Sequence, residues 1–115
     1  MWICLNNSFV SIVQHPVHEH ILMVRGRRKE DVMNFVDGFQ YHGYQQTDHR
    51  DYLYRVYIDC NELPLILAEH AKKIDYTNFK NSVEDDDLHH MYSEVWASGV
   101  RNLDPDWINR QNFSV

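Results

Sequence analysis

Two segments near the N-terminus have the residue pattern of β-strands. Residues 9–14 (FVSIVQ) mix β-branched and polar residues, which is typical of a strand with at least one buried face. Residues 15–19 interrupt this pattern, because Pro16 cannot donate a hydrogen bond to a strand ladder. Residues 20–28 resume it with Ile, Leu, Met and Val, so residues 9–28 are predicted to form a hairpin.

A second pair of strand-like segments lies in the middle of the chain. Aromatic and β-branched residues dominate residues 39–47 and again residues 52–59. The polar sequence DHRD at residues 48–51 separates the two segments and favours a turn. This spacing predicts a second hairpin.

Three other segments repeat their apolar residues at steps of three and four, which predicts helices. Residues 29–37 are followed by Gly38, which suits the left-handed position after a helix. Residues 63–74 carry the same spacing. Residues 85–99 are also amphipathic, and Gly99 is expected to end this helix.

The remaining C-terminal segments are less regular. Residues 75–83 are weakly periodic, which fits either a short helix or an ordered connection. Residues 101–115 lose periodicity and are predicted to form a surface tail. The order β-β-α-β-β-α-α predicts an α+β fold with two layers, in which helices cover one face of a mostly antiparallel sheet. We expect this fold to occupy residues 1–100 as a single domain.

The composition fits a folded domain and limits its partners. The chain has 115 residues, of which 43% are hydrophobic and 24% charged, close to globular averages. Its 11 basic and 17 acidic residues give a net charge of −6, which disfavours non-specific DNA binding because that depends on Lys and Arg neutralising phosphates. No segment has the roughly 20 apolar residues that span a bilayer, and the N-terminus lacks a signal-peptide pattern. We therefore expect a cytoplasmic protein that does not bind membranes.

The basic segment at residues 25–29 contrasts with this acidic background, because it holds four of the 11 basic residues. Arg25 and Arg27 are expected to share one face of the second predicted strand. Arg55, on the fourth predicted strand, and Arg50, in the turn before it, join them if the two strands are neighbours. Clustered guanidinium groups bind phosphate or carboxylate bidentately. The structural alternative is an edge strand that is protected by charge and paired with nearby acids.

Two histidine-rich segments are weaker candidates for binding a divalent metal such as zinc or nickel, because they combine imidazole with carboxylate groups. The imidazoles are those of His15, His18, His20, His89 and His90. The alternative for the first segment is a polar turn that faces water. In the second segment, acids at the start of a helix cap free N–H groups and complement the helix dipole without any metal. No other cofactor is expected.

Aromatic residues crowd the second predicted hairpin. They are Phe39, Tyr41, Tyr44, Tyr52, Tyr54 and Tyr57. Tyr together with Arg is favoured at protein interfaces, and aromatic rings also stack on the bases of single-stranded nucleic acids. Tyrosines that pack half-exposed on a sheet are the structural alternative.

Five segments of the chain resemble a family of small bacterial and phage proteins. They are MWICLNNSFVSIV at residues 1–13, LMVRGR at 22–27, DYLYR at 51–55, IDYTNFK at 74–80 and YSEVW at 92–96. The family carries no assigned activity, so the resemblance implies a bacterial or phage cytoplasmic origin and a set of positions to test. These positions are Arg25, Arg27, Tyr54, Arg55, Tyr76, Asn78, Phe79 and Lys80.

The sequence favours a non-enzymatic function, because it contains no GxSxG, GxGxxG, HExxH or P-loop motif. The leading hypothesis is a phage or mobile-element accessory factor that binds a host protein, or a second copy of itself, through a Tyr- and Arg-rich sheet surface. One alternative is a protein or enzyme that binds a small anion such as a nucleotide or phosphate, and another is a metal-binding protein. The expected binding residues are Arg25, Arg27, Arg50, Tyr52, Tyr54, Arg55, Tyr76, Asn78 and Lys80.

Overall fold

A five-stranded antiparallel sheet forms the centre of the computed structural model, which describes residues 1–112. The strands are β1 (Trp2–Leu5), β2 (Ser8–Gln14), β3 (Ile21–Gly26), β4 (Gly43–Gln46) and β5 (Tyr54–Asp59). Their order in space is β1-β2-β3-β5-β4, and every neighbouring pair is antiparallel. Both predicted hairpins are confirmed, and so is the α+β class.

The edge strand β1 is the element that the sequence pattern does not predict. Its four residues, WICL, show no alternation of polar and apolar types. Ile3 and Leu5 nevertheless pack against the core, whereas Trp2 and Cys4 are exposed. A two-residue turn at residues 6–7 joins β1 to β2, so the first hairpin extends into a three-stranded meander.

Five helices accompany the sheet in the described part of the chain. They are α1 (Lys29–Val36), α2 (Glu62–Lys72), α3 (Phe79–Ser82), α4 (Asp86–Leu103) and α5 (Trp107–Asn112). The first two match the predicted helices, and Gly38 has the expected positive φ of 82°. The weakly periodic segment at residues 75–83 contains the short helix α3.

The prediction that the helix at residues 85–99 ends at Gly99 is wrong. Helix α4 does not end at Gly99 but continues to Leu103, since an isolated glycine costs a helix only about 1 kcal/mol. The predicted surface tail contains the short helix α5, and Trp107 makes an edge contact with Trp96 at a centroid distance of 5.3 Å. Residues 113–115 of that predicted tail lie outside the described residues.

The main core lies between one face of the sheet and the helices α1 and α2. Alternate residues of the central strands point to this face, because side chains alternate across a strand. The fully buried members of the cluster are Val10, Ile12, Val24, Val32, Phe35, Val36, Val56, Ile58 and Ile66. This arrangement matches the expectation that helices cover one face.

The C-terminal helices differ from that expectation, because they contact the opposite face. Phe9 alternates with the core residue Val10 and packs against a second cluster formed by Val83, Leu88 and Tyr92. The Tyr92 hydroxyl lies 2.9 Å from the carbonyl oxygens of both Leu5 and Ser8 at the β1–β2 turn. The start of α4 is therefore anchored at one end of this face. No helix within residues 1–112 is long and apolar enough to cross a bilayer.

Candidate functional site

Two arginines lie directly opposite each other on the sheet face away from α1 and α2, which we call the open face. Arg25 on β3 pairs with Arg55 on β5, and on its other side with Ser11 on β2. Side chains alternate between the two faces along each strand. Val24, which precedes Arg25, and Val56, which follows Arg55, point into the main core. The two arginines therefore occupy neighbouring positions on the open face.

The two guanidinium groups have few polar partners. Arg25 donates from Nη2 to Ser11 Oγ at 2.7 Å and from Nε to the Ser11 carbonyl oxygen at 3.5 Å. Arg55 is only 4% exposed, and its Nη2 donates to the Tyr52 carbonyl oxygen at 3.3 Å. Its buried Nε has no partner among residues 1–112. Most buried polar groups in proteins are hydrogen-bonded, so this nitrogen is an exception.

Tyr52 joins a third arginine to the pair. The guanidinium carbons of Arg25 and Arg27 lie 4.8 and 4.7 Å from the centroid of the Tyr52 ring, within the range of a cation–π contact. Arg27 also forms an exposed ion pair with Asp51, with Nη1 and Oδ1 2.9 Å apart. The structure thus brings together four of the predicted binding residues. They are Arg25, Arg27, Tyr52 and Arg55.

Arg28 shows how this chain normally satisfies a partly buried arginine. Its nitrogens lie 2.7 Å from Asp31, 2.9 Å from Asp85 and 3.7 Å from Glu30. The hydrogen bond to Asp31 is the largest cause of a raised Arg28 pKa, and the bond to Asp85 adds to it. Pairing with nearby acids, one part of the structural alternative for the basic segment, is therefore present at Arg28 and Arg27, but β3 is an interior strand and not the edge strand of that alternative.

Arg25 and Arg55 lack such acids. Among residues 1–112, no carboxylate oxygen lies within 4.0 Å of either guanidinium group. Like charges directly opposite each other on two strands destabilise a sheet, and a buried unpaired charge is costly. Within residues 1–112, the two neighbouring arginines therefore have no carboxylate partner, and the chemistry they favour is oxyanion binding.

A shallow concavity lies on the open face at Tyr57, and neither arginine of the pair is among its lining residues. Tyr57, two residues after Arg55, forms one wall of the concavity. The other lining residues lie just after β2, at the start of β3 and at or just before the start of β4. Its volume is about 260 Å³, and its lining residues are His15, His18, Ile21, His42, Gly43 and Tyr57. The rings of His15 and Tyr57 have centroids 5.8 Å apart.

The His15 ring is held in one tautomer by the β2–β3 turn. The backbone N–H groups of Val17 and His18 both donate to His15 Nδ1 at 3.1 Å. Because Nδ1 accepts these bonds, the proton of the neutral ring is on Nε2. The turn therefore presents Nε2 as a donor.

The two predicted histidine clusters remain separate. The His18 ring contacts the rings of His15 and His20 at centroid distances of 4.9 and 6.2 Å, whereas His89 and His90 are exposed on α4. Within the described residues, no group of three or more His, Cys, Asp or Glu side chains is placed to hold one metal ion. The acids before His89 act as predicted for a helix start, since Asp85 Oδ1 accepts from Leu88 N at 3.0 Å.

The other predicted binding residues lie away from the arginine pair. Tyr54 points to the face opposite Arg55 and packs against the main core. Arg50 is exposed in the turn before β5. The remaining three lie at α3, where Tyr76 contacts Phe79, Asn78 caps the helix, and Lys80 lies over Trp96..

Gly26 lies where β3 packs closely against α1. A Cβ atom at this position would lie 2.8 Å from Val32 Cγ2 and 3.2 Å from the Arg28 carbonyl oxygen. The space beside Gly26 is therefore filled by α1 and does not admit a ligand. The glycine allows the close packing of β3 against this helix.

Sequence reasoning did not single out His42 and Ser11, and it named Tyr57 only within the aromatic group of the second hairpin. Their placement follows from the pairing of β5 with both β3 and β4. The period-two relation between Arg55 and Tyr57 was the available signal, because it places both side chains on one face.

Comparisons with protein-family models, curated proteins and solved structures find no match for this chain.

Proposed function

We propose that this protein is a non-catalytic binding protein whose open sheet face binds an oxyanion at Arg25 and Arg55. The observation that carries the proposal is Arg55, a 4% exposed arginine with an unpartnered Nε and with another arginine opposite it. Natural proteins retain arrangements of this kind mainly where function requires them. A phosphate or carboxylate bound at Arg25 would offset the repulsion between the two cations.

The half-buried Arg25 is the group that an anion meets first. Its guanidinium is more exposed than that of Arg55, and Ser11 and the Tyr52 ring hold it in place. A guanidinium that is fixed in advance loses less entropy when it binds a ligand. Arg55 adds positive charge behind it, in surroundings where water screens that charge poorly.

The proposal includes the leading hypothesis from the sequence. The oxyanion can belong to a small ligand or to a carboxylate or phosphate group on a partner protein. The absence of catalytic sequence motifs supports binding rather than turnover. The net charge of −6 repels anions in general, so selective binding requires a local site such as this pair.

A phosphate titration tests the proposal. Inorganic phosphate is added to the full chain at constant ionic strength, and backbone amide signals are followed by NMR. We expect saturable shifts in β3 and β5, and a loss of affinity of about tenfold or more in Arg25→Met and Arg55→Met, because hydrogen bonds to charged groups contribute about 1.5–3 kcal/mol. Arg101→Met is the matched control, since it removes the same charge from an exposed position on α4. Equal weakening in the control and in Arg55→Met would contradict the proposal.

A further inference from the structure

The open face carries a concavity beside the arginine pair, and we infer that the two together bind a mononucleotide. The phosphate lies at Arg25 and Arg55, and the base enters the concavity lined by His15, His42 and Tyr57. This inference rests on the proposed function, because it identifies the molecule that carries the oxyanion.

The spacing of the two parts suits a nucleotide. Arg55 and Tyr57 are two residues apart on one strand and point to the same face, so their Cα atoms are separated by about 6.8 Å. A single sugar bridges a gap of this size between a phosphate group and an aromatic base. The same two rows continue onto β3, where Arg25 pairs with Arg55 and Met23 pairs with Tyr57.

The size of the concavity indicates that it holds one part of the ligand. Sites for complete small ligands have volumes of roughly 300–1,000 Å³, whereas this one is about 260 Å³. A volume of this size suits one ring system, with the sugar and the phosphate lying outside it along β5. The phosphate then reaches the arginines without entering the concavity.

The lining residues fit a heteroaromatic base better than a hydrocarbon ring. Tyr57 and the imidazole of His15 provide ring surfaces for stacking. The His15 Nε2–H, set by the two bonds that Nδ1 accepts, is a donor that can pair with a ring nitrogen or carbonyl of a base. His42 adds a second imidazole at the same concavity, with its backbone N–H bonded to the Tyr57 carbonyl oxygen at 2.7 Å.

Calorimetric titrations of the full chain with seven compounds test this inference. The probes are inorganic phosphate, ribose 5-phosphate, phenyl phosphate and the four common nucleoside 5′-monophosphates. We expect at least one nucleotide to bind about tenfold or more tightly than ribose 5-phosphate, as base stacking on aromatic side chains provides. Equal affinities for ribose 5-phosphate and all four nucleotides would overturn the inference. Phenyl phosphate binding as tightly as the best nucleotide would also overturn it, because the site would then recognise any aryl phosphate.

Three tyrosine variants locate the base. Tyr57→Leu is expected to lower the affinity for the nucleotide to that for ribose 5-phosphate. It should leave the affinity for inorganic phosphate unchanged. Tyr57→Phe keeps the ring and loses only the 2.8 Å bond to Gln45, so it should retain most of that advantage. Tyr44→Leu is the control, because Tyr44 pairs with Val56 and lies on the other face of the same hairpin. Loss of the advantage in Tyr44→Leu but not in Tyr57→Leu would overturn the placement.

The titration with inorganic phosphate distinguishes failure of the nucleotide inference from failure of the oxyanion proposal. If inorganic phosphate binds at Arg25 and Arg55 but the base adds nothing, the nucleotide inference fails and the proposed oxyanion function stands. If no phosphate-bearing probe binds, both fail. If nucleotides bind equally well to Arg55→Met and to the wild type, the ligand lies elsewhere and both assignments are wrong.

Discussion

Arg28 and Asp85, which are 57 residues apart in the chain, are joined by a 2.9 Å bond between Nη1 and Oδ2. The same arginine donates from Nε and Nη2 to both oxygens of Asp31, at 2.8 and 2.7 Å. Asp85 also caps α4 by accepting from the Leu88 N–H. A single guanidinium group therefore connects the start of α1 to the start of α4.

Asp85 makes the stability of the protein depend on pH. The bond from the Leu88 N–H, followed by the bond from Arg28, lowers the Asp85 pKa below its usual value of about 3.9. Because the folded pKa is lowered, this stabilisation is fully present above pH 4 and is lost as the pH falls through the folded pKa. Asp85→Asn keeps a good cap and removes the charge, so its destabilisation should be clear at pH 7 and disappear in strong acid. Urea unfolding at several pH values measures this difference, and Asp86→Asn, which has no bond to Arg28, is the control.

The paired and unpaired arginines should respond in opposite ways to the same substitution. Arg28→Met leaves Asp31, whose side chain is 4% exposed, without its partner and should cost about 3 kcal/mol. Arg55→Met removes a buried charge that lacks an acid, so the ligand-free protein should be as stable as wild type or more stable. Chemical denaturation in a phosphate-free buffer measures both. If Arg55→Met lowers the free energy of unfolding as much as Arg28→Met does, Arg55 has a structural role.

Two glycine substitutions should change the stability of the protein in opposite directions. Gly26→Ala places a Cβ atom 2.8 Å from Val32 Cγ2, so we expect overpacking to cost about 1–3 kcal/mol. Gly99→Ala meets nothing within 4 Å and lies inside α4, where alanine should stabilise the helix by about 0.5–1 kcal/mol. Thermal unfolding compares the two. Destabilisation by Gly99→Ala would mean that α4 does not continue through this position.

The Tyr92 hydroxyl should contribute measurably to the attachment of α4. Burial raises the Tyr92 pKa, so the hydroxyl stays protonated and can donate to the carbonyl oxygens of Leu5 and Ser8. Tyr92→Phe leaves these acceptors without this donor and should cost about 1 kcal/mol. Tyr41→Phe is the control, because Tyr41 is 44% exposed. Equal stability of Tyr92→Phe and wild type in urea unfolding would contradict this role.

Local patterns were sufficient to predict most elements of the fold. The two hairpins follow from β-branched and aromatic residues on either side of polar turns, and α1 and α2 follow from helical spacing. β1 was not predicted, because its four mostly apolar residues do not alternate between polar and apolar types. The extension of α4 through Gly99 depends on the net preference of the whole helix, which one unfavourable residue does not outweigh.

The candidate site could be predicted only in part. The sequence indicates that Arg25 and Arg27 are close together and that Arg55 is on a strand. It does not indicate that β5 pairs with β3 in the register that places Arg25 opposite Arg55. That register depends on packing in the main core, since a shift of one residue would turn Val56 out of the core and move Arg55 into it. Tyr54 was assigned to the same surface, but the same alternation places it on the other face.

The neighbouring position of β3 and β5 has a consequence for how the protein folds. β1, β2 and β3 are joined by short turns, whereas residues 27–53 separate β3 from β5. Closing this longer loop costs more chain entropy, so we expect the N-terminal meander to form early and β5 to dock late. The repulsion between Arg25 and Arg55 arises only at this docking step. An anion that binds the pair should therefore stabilise the last stage of folding, and without an anion the docking of β5 onto β3 should be less favourable.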